Sequence, residues 1–170
     1  MKRIALTLAA LLLAAPAVAV PAPKVALQSI GDLPVVERAP YDEVATPDQA
    51  DAAVKAAFDR AKKSHRRVLI DLGGNWCGDC IVLSNLMQLP DLKPFVEKHF
   101  EVVVIDVGRF NKNLQVPARF GFTQRLIGVP TIIIATPDGK LVNGRDVFAM
   151  ASARDLTPQA IADWLAKYAA

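Results

Sequence analysis

Residues 76–80 read Trp-Cys-Gly-Asp-Cys and hold the only two cysteines among 170 residues. Two thiols three positions apart can close a structural disulfide, supply half of a soft metal site, or exchange a disulfide with another molecule. As a staple the pair is weak, because a ring of about four residues gains only about 2 kcal/mol by the chain-entropy relation. As a metal site it lacks ligands: a tetrahedral centre needs four, and His65 and His99 are the only histidines. Both histidines fall in helix-end contexts, where an ordinary surface role is expected. Redox exchange is the favoured use of the pair.

Exchange requires an activated attacking sulfur and a resolving thiol within reach, and the surrounding elements are legible. Thr46, Pro47 and Gln49 form a capping-box start, and Val54, Ala57, Phe58 and Ala61 give a helix with one buried stripe. The basic cluster Lys62–Arg67 follows, where cations complement the helix C-terminus. Val68–Leu72, broken by Asp71, reads as a buried strand, and Gly-Gly-Asn turns the chain into Cys77. Ile81, Val82, Leu83, Leu86 and Met87 have helical spacing, so Cys77 stands where a strand ends and a helix begins. Unpaired N–H groups and the positive end of the helix dipole favour a thiolate there. A helix over 92–99, a strand over 102–107, a short helix over 115–120, a strand over 131–136, a Pro-Asp-Gly-Lys turn, a strand over 141–143 and a last helix opened by Thr157 and Pro158 complete the order. That helix carries the stripe Ile161, Trp164, Leu165 and Tyr168. Parallel crossovers followed by a hairpin describe a three-layer α/β domain around a mixed sheet.

Ahead of that domain, Lys2 and Arg3 precede an apolar run, Ile4–Ala15, that ends in small residues, the pattern of a signal peptide over residues 1–19. A single membrane anchor is the competing reading, although the run is shorter than the roughly 20 apolar residues a span needs. Either reading exports the remainder, with the periplasm as the expected compartment, and disulfides persist in such compartments. Residues 20–45, with four prolines, read as an arm or linker carrying a short strand at 33–37, and residues 46–170 as the domain. Removing Lys2 and Arg3 takes the net charge from +3 to +1, so bulk charge points to no nucleic-acid partner.

Taken together, the residues resemble the thioredoxin superfamily. Trp-Cys-Gly-Asp-Cys is similar to its Trp-Cys-Gly-Pro-Cys active site, Gly128-Val-Pro-Thr131 to the segment carrying a cis-proline beside the cysteines, and Asp71 to the aspartate buried under the disulfide. The resemblance implies a thioredoxin-like three-layer α/β/α fold with a mixed central sheet. It implies Cys77 as nucleophile and Cys80 as resolving thiol, with Asp71 moving the resolving thiol's proton. Trp76 would flank the reactive sulfur, Val129 would present its backbone to an extended substrate, Pro130 would be cis, and Gly78 and Asp79 would complete the active-site loop. No cofactor and no metal are implied.

The departures carry expectations of their own. Asp79 stands where the family has proline, and a carboxylate there opposes thiolate formation. Val102, aligned back from Asp106, replaces the lysine that often neighbours the buried aspartate. The segment over 108–127 is longer than in a minimal thioredoxin and contains Arg109, Lys112, Arg119 and Arg125, as a solvated insertion or a partner-recognition loop. The expected function is an exported thiol–disulfide oxidoreductase of protein disulfides, reductase rather than oxidase, served by a membrane thiol–disulfide electron-transfer protein. The alternative is a non-catalytic binding module with a permanent Cys77–Cys80 disulfide.

Overall fold

The computed structural model describes residues 20–170. The leader expected over residues 1–19 lies outside them. No helix among the described residues is long and apolar enough to cross a membrane.

Helix α1, Pro47–Ser64, begins as expected: the Thr46 hydroxyl accepts from the Gln49 N–H while the Gln49 side chain accepts from the Thr46 N–H. Strand β1, Arg67–Gly73, follows, then α2, Gly78–Leu86, and α3, Lys93–His99. Strand β2, Phe100–Asp106, short helix α4, Gln115–Ala118, strand β3, Thr131–Ala135, and helix α5, Pro158–Lys167, complete the order. The sheet runs β2-β1-β3, with β2 parallel and β3 antiparallel to β1. Among the described residues only β1 to β2 is a parallel crossover, where more than one was expected.

Strand alternation builds the layers. Leu69 on β1 joins Ile132, Ile134, Leu83 and Leu86 of α2, Val96 of α3 and Ile161 and Leu165 of α5 in one core. Val68, Ile70 and Leu72 join Ile133, Val103, Ile105 and the Val54, Ala57 and Ala61 stripe of α1 in the other. Leu69, Ile70, Ile133 and Ile134 have no exposed surface, and truncating any of these leucines or isoleucines to alanine should cost about 2–5 kcal/mol.

The strand expected at 141–143 is reduced to one bridge, Ala135 to Leu141. The reason is the side chain of Asn143. Its Oδ1 accepts from the Ile134 N–H and its Nδ2 donates to the Ile132 carbonyl, both at 2.8 Å. A side-chain amide thus occupies the place of a further backbone ladder on β3.

Residues 20–45 hold no strand at 33–37, only a 3-10 turn at Ile30–Asp32. This segment lies against the domain. Val25 and Leu33 are buried in the first core and Tyr41 in the second. Asn85 of α2 fastens it, accepting from the N–H groups of Val36 and Glu37 and donating to the Glu37 carbonyl.

His99 is buried rather than on the surface, with its Nδ1 2.6 Å from the Ala170 carbonyl and its ring against Phe95. His65 caps α1 in the left-handed conformation at φ 59°. In the basic cluster, Arg66 pairs with Glu101 at 3.0 Å and Arg67 donates to the Tyr168 carbonyl.

Candidate active site

The site forms where β1 ends. Leu72 pairs with Thr131 across the antiparallel register, so the start of β3, and Pro130 before it, stand beside the turn that launches α2. Cys77 is the N-cap of α2, and its Sγ accepts from the Cys80 N–H at 3.2 Å. That N–H and the helix dipole would stabilise a thiolate at Cys77. The two cysteines are joined in a disulfide. Cys77 keeps 6% of its surface and Cys80 none, so Cys77 is the sulfur open to attack. It is a shallow target.

Val129 and Pro130 lie where the resemblance placed them. The Val129–Pro130 peptide is cis, and the Val129 carbonyl oxygen is 3.4 Å from the Cys77 Sγ. Trp76 is 40% exposed on the other flank, its indole N–H donating to the Gly108 carbonyl at 2.8 Å.

Asp71 is completely buried, and burial pushes its carboxyl up to about 7, against a smaller lowering by a hydrogen bond from Tyr41. A carboxyl that titrates near neutrality suits proton transfer. In the register its β2 partner is Val104, while Val102 pairs with Leu69. The apolar replacement therefore sits one strand repeat further along than expected, with the same consequence: no cation of β2 faces Asp71.

Tyr41 occupies that role with a neutral donor. Its hydroxyl donates to Asp71 Oδ1 at 2.8 Å, and burial beside the carboxyl raises its own pKa steeply. Asn75, immediately before Trp76, clamps the Tyr41 backbone by accepting from its N–H at 3.0 Å and donating to its carbonyl at 2.9 Å. Alternation puts Asp71 and Gly73 on one face of β1. A Cβ on Gly73 would lie 2.5 Å from the Tyr41 hydroxyl and 2.8 Å from the Cys80 Sγ. The absence of that atom lets the phenol and the resolving sulfur meet over the backbone.

Asp79, expected to oppose thiolate formation, is held by a cation. Arg154, in the 3-10 turn Ala153–Asp155, donates its backbone N–H to Oδ1 at 2.9 Å and its guanidinium to Oδ2 at 3.0 Å. The same guanidinium lies 3.2 Å from where a Gly78 side chain would begin. Asp79 therefore reaches the sulfurs as half of an ion pair, which weakens its opposition to a thiolate.

The structure thus brings Cys77, Cys80, Asp71, Trp76, Gly78, Asp79, Val129 and Pro130 to one end of β1, and adds Tyr41, Gly73, Asn75 and Arg154, which sequence reasoning did not name as site residues. Tyr41 lies in a proline-containing stretch without periodicity, and Arg154 is 75 residues from its partner. Gly-Gly-Asn at 73–75 was visible as a turn, but its contacts were not. Among the described residues, no group of three or more His, Cys, Asp or Glu side chains is placed to hold a metal.

A family model described as thioredoxin-like matches residues 49–137. A thioredoxin of Alicyclobacillus acidocaldarius is 29% identical over 79 residues, covering 46% of this chain and 67% of its own. The crystal structure of a disulphide isomerase from Xylella fastidiosa Temecula1 superposes with a TM-score of 0.68 at 36% identity, covering 75% of this chain and 95% of that one.

Proposed function

The chain belongs to the thioredoxin-like family, and from that premise we propose that it is an exported thiol–disulfide oxidoreductase of protein disulfides. In the reducing direction the Cys77 thiolate attacks a substrate disulfide, forming a Cys77–substrate disulfide and releasing the first substrate sulfur as a thiolate, which takes a proton from solvent. Cys80 then gives its proton to the Asp71 carboxylate and attacks Cys77 Sγ. The mixed disulfide breaks, the second substrate sulfur leaves as a thiolate that takes a proton from solvent, Asp71 releases the proton it received, and the Cys77–Cys80 disulfide holds the two electrons' worth of oxidation taken from the substrate. Oxidation of a dithiol runs the same steps backwards.

The single observation that carries this reading is the disulfide itself, placed at the N-terminus of α2 with a buried carboxyl that titrates near 7 on the adjoining strand. The name of the Xylella neighbour, a disulphide isomerase, also favours exchange chemistry. A permanent disulfide would require neither the Cys80 N–H aimed at Cys77 nor a titrating Asp71.

The proposed direction is reduction. With Asp79 held by Arg154, the lean rests on Asp71, whose charge opposes thiolate formation at Cys80 and so disfavours the dithiol. Reduction outside the cytoplasm needs electrons from a membrane thiol–disulfide electron-transfer protein, which is the proposed partner. Export to the periplasm rests on Lys2, Arg3 and the apolar run Ile4–Ala15, and peptide mass mapping of the N-terminus in a periplasmic fraction checks it.

The test is trapping. Cys80→Ser, exposed to oxidised periplasmic proteins, should accumulate mixed disulfides that dithiothreitol releases, and Cys77→Ser with Cys80→Ser together should form none. An absence of adducts with Cys80→Ser alone would sink exchange catalysis in favour of the binding module.

A further inference from the structure

The rim of the site on the Trp76 side is a stack of aromatic rings and arginines. The Arg109 guanidinium lies 4.9 Å from the Trp76 ring centroid, the Phe110 ring meets Trp76 edge-on at 5.9 Å, and the Arg125 guanidinium lies 4.7 Å from the Phe110 centroid. Stacking holds guanidiniums in place while leaving their N–H forks open to other partners. Among the described residues neither Arg109 nor Arg125 is within ion-pair distance of a carboxylate, whereas Asp79 and Lys112 are committed. Asp79 is held by Arg154, and Lys112 approaches Asp106 at 3.6 Å and donates to the Glu43 carbonyl. Asp155, beside Arg154, is exposed.

The backbone of the same loop leads to the reactive sulfur. Ile127 is 82% exposed, and two residues later the Val129 carbonyl lies 3.4 Å from Cys77 Sγ. Neither the N–H nor the carbonyl of Val129 takes part in a backbone hydrogen bond among the described residues. An extended peptide paired with Val129 would therefore bring its cysteine to Cys77 and pass its neighbouring side chains along Ile127 and the arginine stack.

From this, and resting on the exchange reading above, we infer that the 108–127 loop selects substrates: Arg109 and Arg125 favour protein segments that carry acidic residues, Asp or Glu, beside the cysteine to be attacked. The loop is then a recognition element rather than a solvated insertion. Its bidentate guanidiniums fit carboxylates, and the rings beside them exclude part of the water that would screen the pair.

The experiment is an equilibrium titration that needs no turnover. Fluorescein-labelled peptides of one sequence, with the cysteine replaced by serine and its neighbours set to Glu, Gln or Lys, are titrated with the oxidised full-length protein, reading anisotropy at 20 and 300 mM NaCl. The Glu peptide should bind about fivefold more tightly than the Gln peptide at low salt, the order expected of two partly exposed ion pairs, and the Lys peptide more weakly than either. The ratio should shrink at high salt. It should fall to about one in Arg109→Gln with Arg125→Gln, and keep part of its size in Arg109→Lys with Arg125→Lys, which preserve the charge without the fork; circular dichroism checks the folding of both variants. Equal binding of the Glu and Gln peptides, a ratio unmoved by the glutamine variant, or tighter binding of a labelled oligonucleotide would each overturn the inference. Failure of Cys80→Ser to trap substrates would instead overturn exchange catalysis, and the titration reads the arginines in either case.

Discussion

The Tyr41 hydroxyl donates to Oδ1 of Asp71 across 2.8 Å inside the protein, and Oδ2 of the same carboxyl has no protein hydrogen-bond partner. One oxygen is therefore held and the other is left to take a proton. The donor comes from residues 20–45, ahead of the 49–137 segment that the family model matches. A residue outside the segment that the family model matches thereby offsets part of the rise that burial imposes on a carboxyl within it.

Replacing Tyr41 by Phe keeps the ring and removes the donor. A hydrogen bond to a charged group contributes about 1.5–3 kcal/mol, so loss of the Tyr41 bond should move the Asp71 midpoint above its value of about 7. The expected rise is about one pH unit, after subtracting what the neutral carboxyl also loses. The carbon-13 resonance of the Asp71 carboxyl in the oxidised protein reads it. An unmoved midpoint would mean that the phenol packs without tuning.

Asp71→Asn should stabilise the fold at neutral pH. The folded carboxyl titrates near 7 against 3.8 for an unperturbed group. As pH rises above 4, the unfolded chain releases this proton while the folded chain keeps it, and stability falls until pH passes 7. At about 1.4 kcal/mol per unit the full loss is roughly 4 kcal/mol. Urea unfolding at pH 4.5 and pH 8 should show the variant's advantage growing between them. The same variant should slow resolution of a preformed mixed disulfide about a hundredfold, the usual order for a lost proton acceptor.

Arg154→Ala leaves Asp79 without its cation, and the Cys77 thiol of the reduced protein should then ionise at higher pH. Because the Arg154 side chain is 61% exposed, screening limits the rise to about half a unit. Iodoacetamide alkylation of Cys77 against pH measures it. Adding Asp79→Asn to Arg154→Ala should bring the midpoint back down, which loss of packing alone would not do.

The reduction potential decides direction. Equilibration against glutathione and then a stronger dithiol couple should give a value at or below about −230 mV for the proposed reductase, while a value near −120 mV would mark an oxidant.

Much of this site could be read directly from the chain because its chemistry is local. Cys77 and Cys80 are three apart, and Asp71 precedes Cys77 by six residues on an apolar strand. The capping signals at Thr46 and Thr157 both act through side chains as expected. What escaped was contact between segments without a common period. Tyr41 reaches Asp71 only because Gly73 lacks a Cβ, and Arg154 finds Asp79 only once Ala153 is buried against the core. The strand expected at 141–143 after the Pro-Asp-Gly-Lys turn failed for a different reason: the Asn143 amide satisfies two of the groups on β3 that a ladder would have paired.

That amide also bears on how the protein behaves in a crowd. Strand β3 is an edge of the sheet, and edge strands invite pairing with other chains. Here the outward groups of β3 are already used: the Ile132 N–H by the Val147 carbonyl, the Ile132 carbonyl and the Ile134 N–H by Asn143, and the Ile134 carbonyl by the Val142 N–H. A partly unfolded chain held against the protein would then find no free hydrogen-bonding template at β3, and, on the proposed function, its contact could end in sulfur exchange without co-aggregation along that edge.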